Sequence, residues 1–598
     1  MSPNRLIIPA ALSVLSAFGA APDGPALYKS RCAACHDGAP QARMPARDEI
    51  GKRRPEEIVK AMFTGAMQVQ SAGITPEEGR AIARFLTGKE FAKSEAPLSG
   101  MCPGEAKPFR LDAAGWNGWS ADTANTRYQA ESGIAADQVP KLKLKWAFGF
   151  PETSIAFAQP AVVGGRVFVG SGTGKVYSLD AATGCTYWSY DAGIGVRAAV
   201  SIGALPGGRY AAYFGDLAAV VHAVDAASGK PLWKVHVDEH PIARVTGSPV
   251  AFEGRLYVPV SSVEEASAMM PEYECCKFRG SVVALDAASG KQIWKSYSVL
   301  DPAKPTKKSQ AGAQRYGPAG AAIWSAPTID AKRKLIYAAT GNSYTDVDIS
   351  TSNAILAIDM ESGRLKWASQ VLAKDNFVIG CRSGKDGCPA EVGPDLDFGS
   401  SPILRTLPNG KQIVLAGQKS AMLYGLDPDQ QGKVLWQIKL GQGSALGGIE
   451  WGFAADPTAA YVAVSDRFRA DTSGGLHAVR LDTGEKLWSA MPPKPDCEPR
   501  AKGCSPAKSA AISAIRGAVF SGAVDGHFRA YSTGTGEILW DFNTAKPFPT
   551  VNGVEASGGS IDGGGPAIAN GMVFTNSGYG IWNGLPGNVL LAFSIDGK

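Results

Sequence analysis

Apolar and polar residues alternate in short bursts along most of this chain, and the bursts share one punctuation: an apolar strand, Asp, two or three small residues, Gly, a polar residue, two more residues and Trp. The pattern reads YSLDAATGCTYW (177–188), HAVDAASGKPLW (222–233), VALDAASGKQIW (283–294), LAIDMESGRLKW (356–367), YGLDPDQQGKVLW (424–436), HAVRLDTGEKLW (477–488) and RAYSTGTGEILW (529–540). Successive glycines of the pattern stand 45 to 73 residues apart, the length of a four-stranded blade plus variable loops. Each copy predicts a hairpin whose tight turn needs Gly at positive φ and whose Trp docks between neighbouring blades. An eighth copy begins as LAFSIDGK at 591–598 without its Trp strand, and KLKLKWAF at 141–148 supplies that strand from the other end. The expectation is an all-β eight-bladed β-propeller over 140–598, closed by one blade drawn from both termini. Five of the thirteen tryptophans fall outside this register and are free for other work: Trp116, Trp119, Trp324, Trp451 and Trp582.

Upstream the period changes. ALYKSRCAACHDG, PEEIVKAMFTG and TPEEGRAIARFLTG read as helices, the last with a Thr cap and an acidic first turn, and predict a small all-α domain over 22–92. Residues 93–139, with KSEAPLSG and AGWNGWSADTANTRYQ, read as a linker and a lead-in to the first strand. Residues 1–21 carry Arg5, an apolar run from Leu6 to Phe18 and the small residues Gly19, Ala20 and Ala21, the plan of a secretory signal peptide. The run is shorter than the roughly 20 apolar residues that span a bilayer, so the expected mature protein is periplasmic with no transmembrane anchor.

An exported chain keeps its disulfides. Cys381 with Cys388 and Cys497 with Cys504 each close a short polar loop, and Cys102 and Cys185 remain for a long-range bridge. Cys275 and Cys276 are neighbours, in EYECCKFRG; joined, they form a strained ring of the kind that gathers at functional sites. Lys plus Arg exceed Asp plus Glu by 60 − 55 = 5 over 598 residues, so charge gives no case for nucleic acid or an anionic membrane.

The last two cysteines sit in CAACH at 32–36, the C-x-x-C-H signature of c-type haem. Cys32 and Cys35 would bond the vinyl groups and His36 would be the proximal ligand. Met67, in FTGAMQ, has the separation expected of a sixth ligand, and Met/His ligation raises the potential. Met44 and Met62 are the competitors.

With these features the propeller resembles the quinoprotein alcohol dehydrogenases, eight-bladed propellers that hold pyrroloquinoline quinone (PQQ) and Ca²⁺ on the axis. The resemblance implies that Cys275 and Cys276 form a flat bonded lid on one face of the quinone, with Trp324 of AAIWSAPTID on the other. It makes Asn342 of YAATGNSYTD and Glu265 of YVPVSSVEEAS calcium ligands, with Glu264 the alternative to Glu265. Asp397 of GPDLDFGSSPIL matches the aspartate that is both metal ligand and catalytic base, and Arg197 and Lys419 match residues that hold the quinone oxygens. Lanthanide users in that family carry a second Asp two positions on, where this chain has Gly399, so Ca²⁺ is implied; if Asp395 were the base, Asp397 would take the second role and the metal would change. The cysteine pair follows the Glu segment instead of preceding it, and the haem motif leads the chain. Both departures are similar to a narrower group, the cytochrome-containing polyvinyl-alcohol dehydrogenases, as are GWNGWSADTANTRYQ and GGIEWGFAAD. The resemblance therefore implies a polymeric secondary alcohol as substrate and an external electron acceptor such as a soluble cytochrome c or a quinone. A related enzyme for a small alcohol or polyol is the nearest alternative. A non-enzymatic propeller scaffold shares the Trp repeats but has no use for the haem motif or the adjacent cysteines.

Overall fold

The computed structural model describes residues 22–37, 45–63, 67, 71, 74, 76–91, 100–104, 109–111, 114–268, 270, 272–382, 384–469, 471–495 and 501–597. Met44, Cys497 and the signal segment lie outside them. The chain divides into two units, the smaller made of residues 1–59 and 75–93 and the larger of 60–74 and 94–598.

Among the described residues the larger unit contains eight blade sheets, each built on four antiparallel strands, two of them with a fifth short strand added. The first runs through Ala161–Val163, Arg166–Gly170, Lys175–Asp180 and Thr186–Asp191, and the seventh ends in Ile538–Asn543. The eighth combines Ala567–Ala569, Met572–Ser577 and Val589–Ser594 with Lys143–Gly149 as its outer strand, so both termini share one blade as the repeat arithmetic requires. In four repeats the Asp makes the turn: Asp180, Asp225, Asp286 and Asp359 each accept the N–H of the Ser or Thr three residues on. Gly then follows at φ near +73° in these turns, a left-handed conformation that a side chain resists.

The tryptophans rivet blade to blade. Trp188 Nε1 donates to Ala226 O, Trp233 to Ala287 O, Trp294 to Met360 O, Trp436 to Leu481 O and Trp488 to Thr533 O, each in the turn of the next repeat. Trp540 donates to Leu142 O and Trp146 to Ala181 O, which carries the series across the joint between the termini. The turn glycine is packed under the preceding indole, so a Cβ on Gly229 would lie 2.6 Å from Trp188. Ring closure is thus written into each repeat as one hydrogen bond plus one close contact.

The lead-in is more than a connector. From Ala114 it crosses the inner ends of the blades: Trp116 pairs with Val162, Asn117 with Ile202, and Asn125 Nδ2 donates to Ala326 and Pro327 O. The carbonyls of Thr123, Ala124, Thr126 and Arg127 then accept the N–H groups of Ile329, Leu404, Ala455 and Ala514. Arg127 is buried between Trp116 and Trp119, its guanidinium donating to Ile512 O, Trp119 O and Ser513 Oγ. Burial pushes its pKa down to about 9.

The smaller unit comprises helices Gly24–Arg31, Ala33–His36, Arg47–Gly51 and Pro76–Thr87, together with the first part of Pro55–Phe63. Gly24 lies against the Ala81 carbonyl, where a Cβ would come within 2.5 Å, so the first and last helices cross closely. Tyr28 and Phe85 meet beneath the Arg47 guanidinium.

Replacing Arg127 by Ala strands the carbonyls of Trp119 and Ile512 and opens a void between two indoles. The expected cost is about 3 kcal/mol or more, read as a lower unfolding temperature by calorimetry. Unfolding at the wild-type temperature would contradict the role given to the plug.

Candidate functional site

Loops of the third, fourth and fifth blades converge on one buried ammonium. Lys419 Nζ lies 3.1 Å from Asp395 Oδ1 and 3.3 Å from Asp397 Oδ2. The two aspartates are presented by a loop that the buried Asp375 shapes, accepting the N–H groups of Asp395 and Leu396 at 2.9 and 2.7 Å. Asp397 Oδ1 accepts the Asn342 N–H at 2.7 Å. Gly341 leaves room for that approach, since a Cβ there would stand 2.9 Å from the same oxygen. Asn342 spends its side-chain amide on Ser343 O and Phe377 O, and its side-chain oxygen accepts no hydrogen bond among the described residues. That oxygen is therefore oriented and available.

Electrostatics tie Glu265 to the same place. Burial, and then the field of Asp397, push its carboxyl up to about 7 against the pull of Lys419. Asp395 is raised well above the usual range, by burial first and then by Asp397 and Glu265, with Lys419 opposing. Burial alone would lower Lys419, but Asp395, Asp397, Glu450 and Glu265 together hold it high. Three carboxyl groups against one ammonium leave the cluster short of positive charge, and oxygen donors with that deficit suit a hard divalent cation.

Glu264 and Glu265 have separate jobs. Glu264 is fully buried and accepts the N–H groups of Lys277 at 2.9 Å and Phe278 at 2.8 Å, the Tyr273 hydroxyl at 3.2 Å, and His240 Nε2 at 3.3 Å. It anchors the loop that carries Cys275 and Cys276. Those two are disulfide-bonded across a cis peptide and buried. A Glu264 oxygen and both sulfurs lie within 4.8 Å of one another, but bonded sulfurs offer no thiolate to a metal. Cys102–Cys185 and Cys381–Cys388 are bonded as expected. Cys504 is disulfide-bonded too, and its expected partner Cys497 lies outside the described residues.

Trp324 packs on the apolar cluster that contains Cys275, Cys276, Ala319 and Ala322, and its ring lies 5.6 Å from Lys419 Nζ. It meets Trp451 edge to face at 4.9 Å, and the Arg197 guanidinium lies 3.9 Å over Trp451. These side chains line one cavity with Trp119, Phe157 and Gly399. An Asp at 399 has no room, since even a Cβ would stand 2.1 Å from Trp324. Among the described residues Arg197 Nη2 is buried without a hydrogen-bond partner, and so is Trp119 Nε1. Arg244 lies near enough for Arg197 to add to the burial that pushes it down to about 10. The site thus has a carboxylate end at Glu265 and Asp397 and an arginine end at Arg197 and Arg244. That polarity fits a planar, anionic quinone with its carbonyls on a cation and its acid groups on the arginines.

The structure therefore gathers Cys275, Cys276, Trp324, Asn342, Asp397, Lys419, Glu265 and Arg197 at one end of the propeller. Sequence reasoning missed Arg244, Glu450, whose field acts on Lys419, and Asp562, which accepts the Trp451 Nε1–H at 2.7 Å. Trp451 carried a signal, its place outside the repeat register. In the small unit, Cys32 and Cys35 carry no disulfide. His36 is buried with Nδ1 on the Pro45 carbonyl at 2.8 Å, so Nδ1 holds the proton and Nε2 is free to bind iron. Met67 is partly buried, its N–H donating to Ala61 O, and Met62 is buried in its helix.

The two glutamates separate experimentally. An unfolded glutamate titrates near 4.5, so holding Glu265 at about 7 erodes stability as pH rises between those values, and the full cost is present above them. Glu265→Gln should raise the unfolding temperature of the cofactor-free protein at pH 8 and leave it little changed at pH 4. Glu264→Gln should lower it at both, at a cost in stability of roughly 1–3 kcal/mol, because two loop amides and the Tyr273 hydroxyl then share one acceptor oxygen instead of two. Equal effects of the two changes would refute the division of roles.

Residues 116–445 match the family model of the glucose/ethanol/alcohol dehydrogenase β-propeller domain, and residues 19–86 match that of cytochrome c oxidase, cbb3-type, subunit III. The chain is 45% identical to a polyvinylalcohol dehydrogenase of a Pseudomonas species, over 96% of this chain and 94% of that one. It is 44% identical to another from Sphingopyxis, over 96% and 93%. Among solved structures, a quinohemoprotein alcohol dehydrogenase of Pseudomonas putida superposes with a TM-score of 0.63 at 17% identity, covering 84% of this chain and 83% of that one. One from Comamonas testosteroni gives 0.59 at 20% identity, covering 81% of each, and both share the fold. With the propeller and cytochrome models matched in one chain, and with relatives this similar along nearly its whole length, the chain belongs to the PQQ-dependent quinohaemoprotein alcohol dehydrogenases and is most like their polyvinyl-alcohol members.

Proposed function

We propose that this dehydrogenase oxidises the secondary alcohol groups of polyvinyl alcohol to ketones in the periplasm and passes the electrons through its own haem c to an external acceptor, such as a soluble cytochrome c or a quinone. The observation that carries the reading is the meeting of Asp395 and Asp397 with a single buried ammonium, Lys419, beside Trp324, which packs on the cluster of the bonded cysteine pair. The substrate class rests on the two long, 44–45% identical relatives named for that polymer.

Glu265, the Asn342 side-chain oxygen and Asp397 would hold Ca²⁺, and the lack of space at Gly399 favours that ion over one needing a further Asp. Bound PQQ supplies a carbon that accepts hydride, next to a carbonyl polarised by the cation. Trp324 and the Cys275–Cys276 pair supply flat apolar surfaces on the cluster they share. Arg197, with an N–H that has no partner among the described residues, would meet the acid groups of such a ligand. Lys419, whose charge is held by the surrounding carboxyl groups, would face the oxygens of such a ligand. Asp397, fixed by the Asn342 N–H and by Lys419, takes the hydroxyl proton of the alcohol. In the small unit Cys32 and Cys35 would tether haem, and His36 Nε2 would ligate its iron.

Asp397→Asn should leave the haem absorption bands intact and reduce dye-linked alcohol turnover by about 10²-fold or more. Undiminished turnover would refute the assignment of the base. Wild-type turnover of polyvinyl alcohol against 2-propanol tests the substrate: oxidation of the small alcohol alone would defeat the polymer reading.

A further inference from the structure

The loops that carry the site leave separate blades, so their spacing has to be fixed by something other than the blade sheets. Asp375 holds the 395–397 loop and Glu264 holds the cysteine loop, but neither side chain spans both. A row of backbone bridges does. Arg279 pairs with Gly320 in parallel, Gly320 with Ser343 antiparallel, and Ser343 with Asn376 in parallel. None of the four lies in a blade strand, and together they form a narrow ribbon laid across the loops.

Hydrogen bonds run the length of it. Gly320 N–H donates to Phe278 O at 2.8 Å, and Gly320 O accepts the Gly280 N–H at 3.0 Å. On the other side, Ala321 N–H donates to Asn342 O at 2.8 Å and Tyr344 N–H to Ala319 O at 3.0 Å. Ser343 then donates to Asp375 O at 3.0 Å and accepts the Phe377 N–H at 2.8 Å. Each crosspiece carries a part of the site. The first continues from Cys275 and Cys276, where Tyr316 N–H donates to Cys275 O at 2.7 Å. The second leads from Gly320 to Trp324. The third holds Asn342, whose Nδ2 also donates to Phe377 O at 2.9 Å. The fourth holds Asp375, which shapes the loop of Asp395 and Asp397.

Gly320 stands in the middle, at φ +110°. A Cβ there would lie 2.7 Å from Asn342 O and 2.8 Å from Tyr344 N, and backbone atoms cannot swing aside as the end of a side chain can. Ala321 follows at φ +47°, a left-handed conformation that persists only where the surroundings impose it. Any side chain at position 320 therefore drives the Asn342 segment away from the cysteine segment.

We propose that this ribbon sets the distance between the cysteine lid and the metal ligands, with Gly320 as its positioning residue, so that the cation and quinone subsites are held as one piece. A cation at Asn342 and Asp397 then orders the lid through backbone hydrogen bonds, and a spread ribbon loosens both subsites together. On the reading above, Asn342 ligates the cation and the cysteine pair covers the quinone, and the proposal rests on both.

The test uses full-length protein with haem and without quinone. Gly320→Ala should weaken PQQ binding at saturating Ca²⁺, read by quenching of tryptophan fluorescence, and Ca²⁺ binding, read by calorimetry, each by about 10- to 100-fold. Gly229→Ala, at an equally crowded left-handed glycine in a blade turn, should lower the unfolding temperature and leave both affinities at their wild-type values. A further measurement needs no variant: in wild type, Ca²⁺ alone should slow amide exchange across 316–322, a segment that supplies no metal ligand. Wild-type affinities in Gly320→Ala, equal losses in Gly229→Ala, or exchange across 316–322 that ignores bound Ca²⁺ would each overturn the inference. Failure of the underlying reading looks different: wild type itself would bind no PQQ with Ca²⁺ present.

Discussion

Asp395 and Asp397 share one ammonium in a place that water barely reaches, and the half-buried Glu265 adds a third carboxyl group within their field. A buried charge without a partner is among the most expensive features a fold can carry, and here the deficit is built in by the backbone. Asp375 fixes the 395–397 loop, Asn342 donates its N–H to Asp397, and Glu264 is so fully engaged elsewhere that Glu265 alone remains to face the cluster. An arrangement that resists its own charge in the empty state is one preorganised for a cation.

Holding that arrangement is the work of the ring. The site residues come from loops of separate blades and are adjacent only because the circle closes. Closure depends on a repeated contact, an indole over the next glycine turn with Nε1 on that turn's carbonyl, carried across the chain termini by Trp540 and Trp146. The plug from Ala114 to Arg127 then ties the inner strands of several blades to one another, with Trp119 reaching the cavity itself. Stability and site geometry are therefore coupled: the strands that bury the apolar core also set the distance between Asp397 and Trp324.

Most of the fold was legible because each repeat carries its own turn and its own docking residue, so period, Gly and Trp gave blade number and the two-ended closure. The signal that Trp324 and Trp451 do something else was their absence from the register. The lead-in was read as a connector because its contacts are made by backbone carbonyls and by one buried arginine, which leave no periodic trace. Glu264 and Glu265 could not be told apart in sequence, since the difference between them is which way each points from a four-residue helical turn. Arg244, Glu450 and Asp562 were invisible for a related reason: single charged residues on loops acquire meaning only when the ring brings them together.

The central claim is that the axial pocket binds a planar anionic quinone only when a divalent cation satisfies its carboxylates. Its most direct measurement is quenching of tryptophan fluorescence by PQQ in cofactor-free protein, titrated with and without Ca²⁺. The account predicts tight, saturable quenching with the cation and weak binding after chelation. Equal binding with and without Ca²⁺ would contradict it.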